Sequence, residues 1–370
     1  MTDSYIPLSS LNQGHWFKLI CGASFQHLPT VRNLTLAYTL AGADCIDVAA
    51  DPAVIASVRE ALEVASKFMP EARERGIGSQ GLPWLMVSLN DGEDPHFRKA
   101  EFNQTECPPA CPRPCESICP AKAIVFDRNG DRFSGVVSES CYGCGRCLPI
   151  CPSQLIYTRS YVSTPSAIAH TVLSSADAVE IHTQVGRLSE FKRLWEEVQP
   201  WVVKLKLVAV SCHDSDGILD YLWSLHELIT PLPCPLIWQT DGRPMSGDIG
   251  DGTTINAVKL GKKVCSAGLS GHVQLAGGTN GYTVAKLKKT GLLPFISGIA
   301  YGSYARGLLL PIFEQLEQKS MNNETVTPIV RLEEKPELLW QAVELAHSLV
   351  FQLKSSYIAP HVAPSPSRYR

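Results

Sequence analysis

The chain has 370 residues, more than one small hydrophobic core requires, which leaves room for one large α/β domain with an insertion or for two or three domains. With 45% hydrophobic and 19% charged residues it reads as globular and not as a disordered chain. A net charge of -3, without any Lys/Arg run, excludes an electrostatic claim on nucleic acid.

The N-terminus, "MTDSYIPLSSLNQGHWF", has no basic start followed by an apolar core, so a signal peptide is not expected and the protein reads as cytoplasmic. Three strand candidates follow: "WFKLICG" (16–22), "DCIDVAA" (44–50) and "PWLMVSL" (83–89). Before the third lies "PAVIASVREALEVASKF", an amphipathic helix with Pro52 in its first turn.

Next comes the cysteine-rich segment. The chain has thirteen cysteines, and eight of them fall between Cys107 and Cys151. In a reducing compartment such density points to metal or redox chemistry. Cys141, Cys144, Cys147 and Cys151, followed by Pro152, spell C-x2-C-x2-C-x3-C-P, the bacterial-ferredoxin run. Two-residue gaps let a tight loop wrap three thiolates around an iron–sulfur cube. The fourth cysteine reaches the other cube in two-cluster proteins. Cys107, Cys111, Cys115 and Cys119, followed by Pro120, have three-residue gaps throughout. Prolines at 108, 109, 112 and 114 argue for a wrapped loop there and against a regular helix.

The two quartets read as an internal repeat, "CPAKAI" at Cys119 matching "CPSQLI" at Cys151, each expected to start a short helix after the ligand. Between them, "AIVFDRNGDRFSGVVSES" reads as a hairpin turning at Asn129-Gly130. This layout assigns Cys107, Cys111, Cys115 and Cys151 to one [4Fe–4S] cluster and Cys119, Cys141, Cys144 and Cys147 to a second. The wider spacing leaves a [3Fe–4S] cluster open for the first. Zinc prefers two C-x2-C pairs across a longer loop and has no need of two quartets ending in Cys-Pro. The five scattered cysteines, Cys21, Cys45, Cys212, Cys234 and Cys265, read as small buried hydrophobes.

Beyond residue 162 strands and helices alternate again. Strand candidates are "DAVEIHT" (177–183), "LKLVAVS" (205–211), "PLIWQTD" (235–241), "HVQLAGG" (272–278) and "PFISGIA" (294–300). Helical patterns lie at "RLSEFKRLWEEVQ", with Ser189 as its cap, at "DGILDYLWSLHELI", and at "NGYTVAKLKKTG", ending on Gly291. The apolar stretch 292–313 carries Arg306 together with glycines and prolines, so it reads as a buried strand and helix and not as a membrane span. A closing helix (336–353) precedes a Pro/Ser-rich tail expected to be disordered. Eight β-then-α units predict a (β/α)8 barrel with the cysteine module inserted after the third strand; a doubly wound open sheet is the competing fold. The expected divisions are 12–100 and 163–353 for the barrel, 101–162 for the ferredoxin-like module and 354–370 for the tail.

A barrel gathers its functional groups at the C-terminal ends of its strands. Glu180, His182, Ser211, His213, Asp214, Gln239 and Asp241 stand there, and Glu180, His182, His213 and Asp241 are the acid/base candidates. Each histidine taken singly is more commonly structural than catalytic. Two glycine-rich loops, with Gly277, Gly278, Thr279 and Asn280 in one and Gly302 and Ser303 in the other, are where this fold cradles a phosphate, including that of FMN. Glycine also serves simple turns, so an empty site stays open.

On "CPPACPRPCESICP", "ESCYGCGRCLPICPSQL" and "VQLAGGTNGYTVAKLKKTGL", the chain resembles the cyanobacterial light-dependent period proteins, iron–sulfur components of the circadian clock input. The likeness spans about residues 12–350. It implies a soluble redox sensor whose clusters follow photosynthetic electron transport through the quinone pool and adjust period to light intensity. Its implied partners are clock and clock-input proteins, with no nucleic acid and no membrane span. The residues themselves leave two readings: a regulator whose clusters shift an interface, or an enzyme whose barrel is fed electrons by its own ferredoxin module.

Overall fold

The computed structural model describes residues 6–22, 28–77, 81–92, 98–119, 122–126, 133–138, 140–141, 147–160, 171–242, 253–321 and 331–355. Eight parallel strands close into a barrel: β1 (Trp16–Gly22), β2 (Cys45–Ala49), β3 (Trp84–Asn90), β8 (Ala178–His182), β9 (Leu207–His213), β10 (Leu236–Asp241), β11 (His272–Ala276) and β12 (Gly298–Tyr301). They pair in chain order, and β12 returns to β1 through Trp16↔Gly298. Closure rules out the doubly wound open sheet. The last strand starts later than the sequence suggests, because Leu293–Phe295 forms a 3-10 turn around Pro294, which has no N–H to give a ladder.

Helices ring the barrel. Those between strands are α2 (Leu28–Ala41), α3 (Pro52–Glu74), α6 (Leu188–Val198), α7 (Ile218–Ile229), α8 (Thr254–Cys265) and α9 (Thr283–Thr290), with α10 (Ser303–Met321) and α11 (Pro336–Lys354) after the last strand. In α3 the carboxylate of Asp51 accepts from Ala53 N at 2.8 Å and Val54 N at 3.4 Å, with Pro52 just inside, so the helix starts where its first-turn chemistry directs. It runs past Phe68 and through Pro70 to Glu74. The expected Ser189 cap is not formed: Arg187 holds the N-cap of α6, and the Ser189 hydroxyl donates to Glu190 instead. Gly291 closes α9 in the left-handed conformation, as read. The stretch 292–313 is the buried strand β12 followed by α10, and among the described residues no helix is long and apolar enough to cross a membrane.

A short helix, α1 (Ile6–Gln13), plugs the N-terminal end of the barrel. There Leu11 packs with Trp16, Cys45, Trp84, Met86, Ala178, Leu207, Ala209 and Ile237, and Trp16 meets Trp84 edge-on at 5.6 Å. The last helix pins this end. Lys354 Nζ contacts both oxygens of the buried Asp44 at 2.6 and 2.7 Å and donates to Ser10 Oγ at 3.1 Å, while Asp44 also accepts from Phe17 N at 2.8 Å.

The cysteine module leaves between β3 and β8. Its entry and exit pair as an antiparallel stalk, β4 (Arg98–Glu101) with β7 (Tyr157–Ser160), that the sequence reading did not include. The expected hairpin is present as β5 (Ile124–Val125) and β6 (Gly135–Val136); its Asn129-Gly130 turn lies outside the described residues, as does nearly all of the tail.

Candidate metal centre and barrel mouth

Within the module two one-turn helices, α4 (Pro114–Ile118) and α5 (Cys147–Ile150), pack together. Each carries the first cysteine of a C-x3-C-P ending: Cys115 leads to Cys119, and Cys147 to Cys151. The short helices therefore precede the Cys-Pro step instead of following it. Pro114 is tolerated because it occupies the first turn, where no intrahelical N–H is needed. After each Cys-Pro comes a matching turn: Lys122 N donates to Cys119 O at 3.1 Å, and Gln154 N donates to Cys151 O at 3.1 Å. The repeat read from sequence is thus a repeat of backbone.

The sulfurs lie in a small apolar sheath. Cys115, Cys141 and Cys147 are buried with Ala100, Ala123, Ile124 and Ile156, flanked by Phe102, Phe126, Val136 and Leu148. Cys107 and Cys115 both sense Cys151, and Cys107 also senses Cys111, so these four thiols gather at one place. Burial first, then the neighbouring Cys111, pushes the Cys107 thiol up; burial also raises Cys115. At Cys151 burial pushes up, but the N–H groups of Leu155, Ile156, Ser153 and Gln154 overcome it and hold the thiol below its ordinary value. Ala123 N donates to Cys119 Sγ at 3.2 Å and Ala100 N to Cys141 Sγ at 3.4 Å. Backbone donors aimed at several sulfurs inside an apolar sheath fit thiolates that bind iron. Among the described residues no three Cys, His, Asp or Glu side chains converge on a single-ion site; a cube spreads its thiolates wider than one ion does. Cys144 lies outside the described residues.

The scattered cysteines differ. Cys21, Cys45 and Cys212 are buried and Cys234 and Cys265 partly so. Burial raises all five thiols, Cys21 and Cys212 to about 12 and Cys234 and Cys265 to about 11.

Above the apolar plug the barrel interior turns polar. Lys18, fully buried, donates to Glu180 Oε2 and lies 3.1 Å from Asp47 Oδ2, while Asp47 Oδ1 accepts from Ser88 Oγ at 2.6 Å. Glu180 Oε1 accepts from Gln239 at 2.7 Å and sits 3.2 Å from His182 Nε2. Gln239 reaches Ser211 at 3.1 Å and Asp241 at 3.4 Å, and Ser211 donates to Asp241. Gln274 donates to Gln239 at 2.6 Å and accepts from Trp16 at 2.7 Å. The fold thus joins Glu180, His182 and Asp241; His213, the register partner of Asp241, stays outside this network, and Asp214 pairs with Lys263 on the surface at 3.0 Å. Burial would strip the proton from Lys18, but Asp47 and Glu180 outweigh it and keep the amine charged. Burial pushes Asp241 up to about 6 against the pull of His182. Sequence reasoning missed Lys18 and Asp47, whose only signal was a lone charge inside each apolar strand run.

The first glycine-rich loop has its polar side chains bonded to protein groups, both within the loop and on its neighbours. Gly277 and Gly278 are left-handed, with φ 63 and 96, and a side chain at Gly278 would meet Thr253 O at 2.9 Å. Thr279 Oγ1 donates to Ala300 O at 2.5 Å, and Asn280 Oδ1 accepts from Tyr282 N at 2.9 Å. At the second loop a side chain at Gly302 would touch Arg306 Nη1 at 3.7 Å and Ile20 at 3.8 Å, and Ser303 Oγ accepts from Arg306 Nη2 at 3.0 Å while Arg306 Nη1 donates to Ile20 O at 3.1 Å.

Family models match two parts of the chain: "LdpA Fe-S cluster-binding domain" over residues 107–162 and "Light dependent period A C-terminal domain" over residues 172–352. The chain is 48% identical over 356 residues to Light dependent period A of Synechococcus elongatus, covering 95% of this chain and 94% of that protein. The chain belongs to the light-dependent period A family. The LdpA cluster-binding match begins at the first cysteine of the first quartet and spans both, so the cofactor of the module is iron–sulfur. Among solved structures the chain is similar to tryptophan synthase from M. tuberculosis (10% identity, 94% of this chain, 99% of that chain, TM-score 0.41) and to the YdjI aldolase from Escherichia coli K12 (10%, 96% and 95%, TM-score 0.40). At those scores the likeness adds nothing to the barrel topology already described.

Proposed function

We propose that the protein is an iron–sulfur redox sensor that relays the state of photosynthetic electron transport, through the quinone pool, to clock and clock-input proteins. The observation that carries this is the duplicated Cys-Pro turn with backbone N–H groups aimed at Cys119 and Cys151. Cys107, Cys111, Cys115 and Cys151 would hold one cluster and Cys119, Cys141, Cys144 and Cys147 the other, both [4Fe–4S], with [3Fe–4S] the alternative for the first. Bound clusters supply a one-electron couple, and the protein supplies the sheath and N–H donors that set its potential. Family membership supports the link to light and period.

An EPR-monitored redox titration of anaerobically purified protein tests this. Two sets of cluster signals with midpoints near the quinone couple support a sensor. Midpoints several hundred millivolts lower overturn it and turn attention to low-potential electron transfer.

A second reading has its own observation. One buried lysine faces Asp47 and Glu180, with Asp241 close by, and such a network contributes less stability than apolar packing would. It supports a barrel mouth that binds a ligand and moves protons through His182 and Asp241, with Gly302, Ser303 and Arg306 facing a phosphate or FMN. Flavin absorbance remaining after the clusters are bleached would favour it.

A further inference from the structure

The stalk joins module and barrel through two adjacent residues of β4. Ala100 N donates to Cys141 Sγ at 3.4 Å. One residue earlier, Lys99 Nζ donates to Ser138 O at 2.5 Å, three positions before Cys141, and lies 3.8 Å from Asp51 Oδ2. The Lys99 side chain is 12% exposed and that of Asp51 3%. Asp51 is the N-cap of α3, just beyond β2, the strand that carries Asp47. A single ammonium therefore stands between a carbonyl of the iron–sulfur module and a buried carboxylate of the barrel, closer to the first.

We propose that Lys99 is the charge link through which the redox state of the module reaches the barrel. The inference rests on the iron–sulfur reading above. One electron, delivered by an external one-electron carrier, leaves the module one charge more negative without any proton being required. The Lys99 ammonium is then drawn further toward the module and away from Asp51. Burial already disfavours the Asp51 carboxylate, and Lys99 is the charge that offsets it. With that cation withdrawn, Asp51 is a poorer acceptor for Ala53 N and Val54 N, and the first turn of α3 loosens. Oxidation restores the contact. The two arrangements of one lysine turn an electron on the cluster into the order of a helix end at the C-terminal face of the barrel.

The test is amide hydrogen exchange on full-length, cluster-loaded protein, oxidised and dithionite-reduced, read at Ala53 and Val54. Reduction should speed exchange there about fivefold, the size of a weakened cap. Lys99→Met should abolish the difference with both clusters retained, and Lys99→Arg should restore it. Equal exchange in both redox states of a wild-type protein holding two clusters overturns the inference and leaves the iron–sulfur reading standing. Wild-type protein that binds no iron overturns that reading instead. If Lys99→Met does not load clusters, Asp51→Asn repeats the test from the barrel side: it keeps the cap oxygen and removes the charge, so persistence of the redox difference there overturns the link.

Discussion

Lys122 and Gln154 hold the same left-handed backbone, with φ 49 and 53, each at the third position after the cysteine of a Cys-Pro pair. Few side chains adopt that conformation willingly. Its use twice, by two unlike residues at matched positions, ties the turn to the Cys-Pro step. In each copy the turned backbone brings the next N–H groups toward the preceding thiol.

Gln154→Gly should therefore be neutral or stabilising, and Gln154→Val should cost about 1–2 kcal/mol. Thermal unfolding of the cluster-loaded variants, with iron quantified alongside, distinguishes them. A valine variant as stable as wild type would mean the turn is not held in this conformation.

The scattered thiols give a control for the ligand set. Cys265 donates to Phe295 O at 3.4 Å from a partly buried site far from the module in sequence, and Cys265→Ser should leave iron content unchanged. Cys144→Ser should remove one cluster and leave the barrel folded. Full iron retention in the second variant, or loss in the first, refutes the division.

Lys18 compensates two buried carboxylates, so Lys18→Met leaves both without their cation and should destabilise the barrel by about 3–5 kcal/mol. Glu180→Gln keeps a neutral partner for Lys18 and retains its pairing with Asp47, so about 1–2 kcal/mol is expected. Denaturant midpoints followed by tryptophan fluorescence should rank the two variants in that order.

Asp241 sets a pH dependence. Its folded value of about 6 lies above the ordinary 3.8, so the folded state binds this proton more tightly than the unfolded chain. The stabilisation is complete below pH 3.8 and is lost as pH rises to about 6, with no further change above. The loss amounts to up to about 3 kcal/mol. Asp241→Asn should flatten that part of the stability profile and raise stability at pH 7.

Lys354 clamps the two ends of the chain together through Asp44 and Ser10. Truncation after Ser355 should leave the melting temperature unchanged. Truncation after Leu353 removes the clamp and should lower stability by about 1–3 kcal/mol, while iron content stays intact.

The barrel was legible because strands covered on both faces read as runs rich in apolar residues, and all eight were visible in that way. The register of the last one was not, because Pro294 takes a 3-10 turn inside the same run. Helix α2 gave no amphipathic stripe: it is buried continuously from Val31 to Ala41, packed against α3, α10 and α11. The cysteine quartets were visible by spacing alone, but the helices ahead of each Cys-Pro were hidden by prolines that the first turn tolerates. "RKAE" and "YTRS" carry no alternation, so the stalk was silent until its partners stood side by side. At the barrel mouth Glu180, His182 and Asp241 were found from their place at strand ends, whereas Lys18 and Asp47 lay hidden in hydrophobic company.

Met86 pairs with Ala178 across the whole iron–sulfur module, a separation that ordinarily slows folding. Because Arg98–Glu101 zips against Tyr157–Ser160, most of that length is closed within the module itself. Once the stalk has formed, the effective loop shrinks to the linkers outside it, and the entropy of closure shrinks too. The fourth barrel strand then meets the third across those linkers alone, so the insertion adds to the barrel's closure only the cost of making its own stalk.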